Sequence, residues 1–281
     1  IKANDLEIKK HFKFAFKLFL PTIAGSIYAM LDKTLIGLIT KSDSQNGMYE
    51  QAEKIVKMGL AVLTSLGTIM VTRNSNEIEK GNYSGFEENI QQTIAFSCFI
   101  GFPMVFGLMA VSFNFCPWYF GDGFEMVPIL LCVFSPLIVI IGMNNVLGLQ
   151  CLVPLGKENK YVFSVIIGAI INALLNLIFI YLWGCIGAAV ATITSEFLQM
   201  LLMCIFARKY INLIFCLKSV YKYLIASIGM AMIVYLISIN LVSSIVNTLI
   251  LIGVGGLIYF IAILLMKDKF LYKILKNEHS K

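Results

Sequence analysis

The stretch Tyr161–Ala207, YVFSVIIGAIINALLNLIFIYLWGCIGAAVATITSEFLQMLLMCIFA, contains one charged residue, Glu196. A helix needs about 20 mostly apolar residues to cross a hydrocarbon layer about 30 Å thick. The run therefore holds two crossings back to back, at 161–182 and 185–207. The same pattern extends outward in both directions. Apolar spans read at 12–39, 49–72, 89–113 and 126–150 before it, and at 219–241 and 244–266 after it. Polar, turn-forming segments separate them: Lys41–Gly47, Arg73–Asn89, Asn114–Glu125 and Pro154–Lys160. Almost no amphipathic surface helix lies between the spans, which argues against the buried helices of a soluble protein. The expected fold is an all-α polytopic membrane helix bundle of about eight transmembrane helices.

Composition agrees. The 281 residues are 59% hydrophobic and 14% charged, with mean hydropathy +0.84. Soluble domains lie nearer half apolar and a quarter charged. Seven cysteines (Cys98, Cys116, Cys132, Cys151, Cys185, Cys204, Cys216) are scattered without CxxC spacing. They read as small hydrophobes rather than as a disulfide framework or a metal site. No cleavable signal peptide is expected, because the first apolar stretch is long enough to remain as a span. The chain starts at Ile1 rather than Met, and is read as one part of a longer protein.

The net charge of +6 does not call for a nucleic acid, because the basic residues sort to one side. The amino-terminal segment, the second, fourth and sixth connections and the carboxyl-terminal tail hold 18 of the 22 Lys and Arg residues. Lys41 alone lies in the other connections, while Lys33, Lys54 and Lys57 fall within spans. By the positive-inside rule both ends are expected in the cytoplasm. Segments 208–222 and 267–281 mix basic and apolar residues, and read either as positive-inside anchors or as short interfacial helices.

Function is sought where polarity persists inside spans, since a charge at a span's centre costs roughly 2.5–3.5 kcal/mol on the insertion scale. In the first span Asp32 and Lys33 point about 100° apart and cannot satisfy one another. Each needs another partner or water, unless the span ends early and the pair sits at the interface. Pro21 is expected to bend this helix. In the second span Glu50, Glu53, Lys54, Lys57, Ala61, Thr64, Thr68 and Thr72 recur at spacings of three and four. They form one polar stripe, opposite Ile55, Val62, Leu66, Ile69 and Met70. Such a stripe fits a helix lining an aqueous cavity, or the solvated start of a helix outside the membrane. Asn144, Asn145 and Gln150 mark the fourth span. Asn172 and Asn176 share a face with Gly168 and read first as interhelical packing. Glu196 is either a buried, partly neutral acid or a proton site. The sequence carries no HExxH, Walker A, GxSxG or DxD-type motif, and its two histidines, His11 and His279, are terminal. No enzyme chemistry, cofactor or metal is expected.

Together, Leu20–Ile39 (LPTIAGSIYAMLDKTLIGLI), Tyr49–Ile55, Phe115–Phe124 (FCPWYFGDGF), Ser135-Pro136, Asn144–Gln150, Gly168–Asn172 through Asn176, and Gly184–Thr192 carry a resemblance. In order and spacing this set resembles polysaccharide flippases of the Wzx type, relatives of the MATE drug antiporters. The resemblance covers roughly residues 15–205. It implies a fold of two six-helix lobes around a central cavity, often followed by two extra helices. This chain would supply the second lobe (1–215) and the two extra helices with a basic cytoplasmic tail (216–281). The first lobe would be its missing partner. The implied activity is movement of an undecaprenyl-pyrophosphate-linked oligosaccharide across the bacterial cytoplasmic membrane by alternating access. The alternatives are a multidrug or cation antiporter of the same superfamily, or a membrane glycosyltransferase or polymerase. Under the flippase reading Lys33, Lys54 and Lys57 suit the pyrophosphate, and Thr64, Asn144 and Asn145 suit sugar hydroxyls. Asp32, Glu50, Glu53 and Glu196 are candidate charge partners or ion-coupling groups, exchanging with protons or sodium.

Overall fold

The computed structural model describes residues 30–65 and 67–268, with isolated positions at 16, 19, 23, 25 and 26. Pro21, Leu66, the amino-terminal lysines and the tail beyond 268 lie outside the described residues. The described chain is helical throughout. Helix α1 covers 30–40, α2 Asp43–Thr64, α3 Gly67–Glu79 and α4 Tyr83–Phe120. Then come α5 (Val127–Phe134), α6 (Leu137–Asn144), a π-helical segment Asn145–Leu152, α7 (Glu158–Ala207), α8 (Leu213–Ser238) and α9 (Ile245–Leu265).

Local chemistry sets the boundaries. Ser42, in extended conformation, caps α2 by accepting from the Gln45 N–H at 3.3 Å. Between α3 and α4 the chain reverses through left-handed Gly81 (φ 71°), and Asn82 then caps α4 through the Gly85 N–H. Gly121 and Gly123, both with positive φ, end α4. Pro128 opens α5, and Pro136 separates α5 from α6, so the fourth span is built in three pieces. Ser244 caps α9.

Helix α7 is two crossings, as its sequence predicts. At Gly184 the backbone leaves the helical region (φ 58°, ψ −135°) and the chain folds back on itself. A Cβ at Gly187 would overlap the carbonyl of Phe179, so only glycine permits this close return. The arms, 158–183 and 185–207, run antiparallel, with Gly168 against Gln199 and Asn172 against Thr192. Ala188, Ala189 and Ala191 are wholly buried, the small-residue packing that brings membrane helices close.

Six helical stretches among the described residues are long and apolar enough to cross a membrane. Because Glu158–Ala207 folds in two at Gly184, they make seven passes, and 30–40 belongs to the expected first one. The chain is a multi-pass membrane protein. Helices run further than the hydropathy pattern implies: the expected loops 73–89 and 114–125 are helical to Glu79, from Tyr83 and to Phe120. No separate interfacial helix forms over 208–222. A turn at 208–212 leads directly into α8, which continues unbroken to Ser238.

Two apolar cores hold the bundle. One joins α1, α2, α5, α6 and the fold-back of α7, around Ile36, Tyr49, Leu130, Phe134 and Ala188. The other joins α4, the π segment, the second arm of α7, α8 and α9, around Ile94, Leu147, Met203, Tyr223 and Leu251. Polar clasps fasten α9 to α4. Tyr259 donates to the Phe99 carbonyl at 2.7 Å, and Trp118 Nε1 to Thr248 Oγ1 at 2.8 Å. The turns alternate between two ends. Gln45 meets Cys185 at one end, where Asn114 also meets Leu241. Glu87 meets Asn212 at the other, where Lys160 meets Tyr210. The second end carries the basic connections.

Candidate functional site

The polar stripe on α2 forms an ion ladder with α1. Lys54 Nζ lies 3.0 Å from Glu50 Oε1, which also faces Lys33 Nζ at 3.7 Å. Lys33 reaches Glu53 Oε2 at 3.4 Å, and Glu53 Oε1 meets Lys57 Nζ at 2.7 Å. In space the order is Lys54, Glu50, Lys33, Glu53, Lys57. Three cations alternate with two anions, leaving one positive charge in excess. The inner member, Glu53, keeps 15% of its side chain exposed, whereas Lys54 and Lys57 keep 57% and 58%.

Lys57 is fourteen residues along α2 from Asp43, about 21 Å at 1.5 Å per residue. The ladder thus reaches well into the membrane-crossing part of the helix. Exposed ammonium groups at that depth are costly against lipid, so this face borders water or protein. The apolar residues of α2 and α3 divide between packed and open positions. The packed residues are Met48, Tyr49, Ala52, Val56 and Leu63, while Val62 and Ile69 are exposed. The apolar surface outside the packed face is therefore open to the surroundings, as on a helix that also touches lipid. At the end of α2 Ser65 keeps helical backbone angles, and its N–H donates to the Ala61 carbonyl at 3.0 Å.

Asp32 and Lys33 part company. Lys33 joins the ladder, and Asp32 turns inward, 2% exposed. Tyr49 Oη and Thr192 Oγ1 donate to its Oδ2 at 2.9 and 3.0 Å, and Asn176 Nδ2 donates to Oδ1. Asn172 extends the network, accepting from Asn176 at 3.0 Å and donating to Thr192 at 3.4 Å. The set joins α1, α2 and both arms of α7. All three donors to the carboxylate are neutral, and Asn176 Oδ1 is buried with no donor of its own. Tyr49 and Thr192 were not legible as site residues, since each looks like an ordinary core position until the fold brings it to Asp32. The spacing of Asn172 and Asn176 by one turn was the available signal, and it fitted packing equally well.

A cavity of about 250 Å³ connects the two features, lined by Asp32, Tyr49, Glu53, Lys57, Leu60 and Thr192 among others. A second, apolar crevice of about 430 Å³ lies between α2, α4, α8 and α9, bordered by Ile55, Gly59, Met104, Leu108, Met230 and Leu251. The remaining predicted residues stand apart from the ladder. Thr64 Oγ1 turns back to the Leu60 carbonyl at 3.2 Å. Asn144 Nδ2 donates to Glu196 Oε2 at 2.8 Å and to the Glu196 carbonyl at 3.3 Å. Asn145 Oδ1 accepts from Gln150 Nε2 at 2.9 Å. Asn144 and Glu196 thus form a separate buried pair beside the π segment, while half-buried Asn145 lies against Gly67 of α3. Among the described residues no cluster of three or more His, Cys, Asp or Glu side chains is placed to hold a metal ion.

Residues 1–128 match the family described as polysaccharide biosynthesis protein. The chain is similar to the probable low-salt glycan biosynthesis flippase Agl15 of Haloferax volcanii, 24% identical over 262 residues, which cover 89% of this chain and 54% of that protein. It is also similar to the lipid II flippase MurJ of Bacillus subtilis, 25% identical over 143 residues, covering 50% of this chain and 26% of that protein. In three dimensions it superposes on lipid II flippase MurJ in an inward closed conformation with a TM-score of 0.76 and 19% identity. That match covers 95% of this chain and 56% of the other. An outward-facing multidrug resistance MATE family transporter of the MOP superfamily gives a TM-score of 0.63 at 18% identity, over 77% of this chain and 52% of its own. The fold is therefore one found in the MOP transporters, and the resemblance to flippases is present in sequence and in structure. The chain spans about half the length of Agl15 and of the solved structures it matches, and its matching half covers about a quarter of the Bacillus subtilis protein.

Proposed function

We propose that this chain forms one wall of a non-enzymatic flippase that moves a polyprenyl-pyrophosphate-linked oligosaccharide, such as an undecaprenyl-linked one, across the cytoplasmic membrane of a bacterium. The observation that carries the reading is the ladder: lysines in excess of acids, exposed at membrane depth, on a helix face that lipid does not suit. The cargo joins a charged pyrophosphate to a long apolar tail. Lys33, Lys54 and Lys57 supply cations for the first, with Glu50 and Glu53 holding them when no cargo is bound. The apolar crevice on the neighbouring side of α2 has the chemistry for the second. Sugar hydroxyls would meet the polar stripe beyond Lys57, where Thr64 and Thr68 lie, and Asn145 on the neighbouring span. The buried oxygens around Asp32 suit a small cation, which would link transport to an ion gradient; Glu196 is kept as a second such candidate. Both chain ends are assigned to the cytoplasm by the basic connections, and a second lobe would complete the cavity.

The test is Lys54→Ala and Lys57→Ala in the complete protein. Surface polysaccharide should be lost while membrane insertion and abundance stay normal. Normal export by both variants would remove the lysines from cargo binding. The antiporter alternative, suggested by the shared MATE fold, predicts a cationic cargo. The exposed ladder, with three lysines to two acids, opposes such a cargo by charge.

A further inference from the structure

We propose that Glu53 is the residue that couples anion binding at the lysines to cation binding at Asp32. This rests on the function proposed above and adds the link between its two sites. Glu53 belongs to both. Its two oxygens meet Lys33 at 3.4 Å and Lys57 at 2.7 Å. Its side chain also lines the same 250 Å³ cavity as Asp32, Tyr49 and Thr192. Tyr49, which donates to Asp32 Oδ2 at 2.9 Å, precedes Glu53 by one turn on the same helix.

The coupling depends on the charges that surround this pair. From α1 come Asp32 and Lys33, and from α2 Tyr49, Glu50, Glu53, Lys54 and Lys57. The facing parts of α5 and α6 (Phe134, Leu137, Ile141) are apolar, and the α7 arms present neutral Thr192, Asn172 and Asn176. In the empty ladder Lys33 and Lys57 neutralise Glu53. A pyrophosphate that takes those two lysines leaves Glu53 without its counter-charges, beside a second carboxylate in one small cavity. Two unneutralised acids in such a space repel strongly, and a cation entering between them relieves the repulsion. The hydroxyl oxygens of Tyr49 and Thr192 already lie against Asp32, and the released Glu53 adds a second anionic ligand. Anion binding therefore raises cation affinity, and by linkage the cation raises anion affinity equally.

The complete protein in nanodiscs would be titrated with inorganic pyrophosphate at several sodium concentrations, while bound ²²Na⁺ is counted in parallel. Wild type should bind pyrophosphate more tightly as sodium rises, by about tenfold, within the usual range of coupling between sites. It should also take up sodium as pyrophosphate binds. Glu53→Gln removes the competitor for the lysines, so it should bind pyrophosphate more tightly at zero sodium, yet show no sodium dependence. Glu53→Asp should restore the dependence. A merely structural role for Glu53 would weaken binding in Glu53→Gln instead, and that outcome overturns the proposal. Wild-type pyrophosphate binding without sodium uptake overturns the coupling alone. No pyrophosphate binding by wild type overturns the coupling together with the function on which it rests.

Discussion

At the scale of single residues, two neighbours in sequence serve two environments. Asp32 and Lys33 diverge because adjacent helical positions lie about 100° apart, and the fold supplies a different surrounding for each. The need for outside partners was legible in the sequence, and so were the i,i+4 pairs that place Lys54 on Glu50 and Lys57 on Glu53. The partners of Asp32 were not. Tyr49, Asn176 and Thr192 are brought to it from 17, 144 and 160 positions away, and nothing local marks such contacts. Tyr49→Phe should expose their worth. It removes a hydrogen bond to a buried carboxylate and should lower stability by about 1.5–3 kcal/mol, read as a lower midpoint in thermal unfolding in detergent. Tyr221→Phe, an exposed tyrosine on α8, should change it little.

At the scale of elements, helices follow the apolar pattern while their ends follow capping and glycine chemistry. Hydropathy located the spans but closed several of them early, since it cannot see that a polar helix turn continues beyond the lipid. Glu79, Tyr83 and Phe120 all fall in stretches that composition alone makes loops. The division of α7 was legible from length, but the tightness of its turn was not. Gly184 takes a left-handed φ, and Gly187 lies directly against the Phe179 carbonyl. Gly187→Ala should therefore force the arms apart and cost about 3 kcal/mol or more, seen as loss of monodisperse protein on size exclusion. Gly37→Ala is the control, since a Cβ there meets nothing within 4 Å. Which apolar residues of the second span pack inward was not legible for a related reason. In a membrane an apolar residue is as much at home on the outside as in the core, so Val62 and Ile69 carry no inward signal.

At the scale of the whole molecule, alternating passes place the ladder towards the end that holds the 41–42 and Gly184 turns, opposite the basic connections. In the proposed orientation, which follows the positive-inside rule, that end lies outside the cytoplasm. Cysteines introduced at Ser42 or Asp122 should react with an impermeant maleimide added to intact cells, and those at Lys80 or Lys157 only after permeabilisation. The reverse pattern would invert the topology. The native cysteines among the described residues are buried or half-buried, which keeps the background low. The exposed lysines of the ladder face away from the two apolar cores, on the side where the proposed second lobe would stand.

Carriage of a pyrophosphate-linked glycan along this wall is tested most directly by translocation. The complete protein would be reconstituted into liposomes with a fluorescent polyprenyl-pyrophosphate oligosaccharide, and a membrane-impermeant quencher would report which leaflet holds it. Movement between leaflets should depend on the protein, and should fall to the level of empty liposomes in a Lys54→Ala, Lys57→Ala double variant of normal folding. Movement at the wild-type rate in that variant, or none in wild type with an ion gradient applied, would contradict the proposed role.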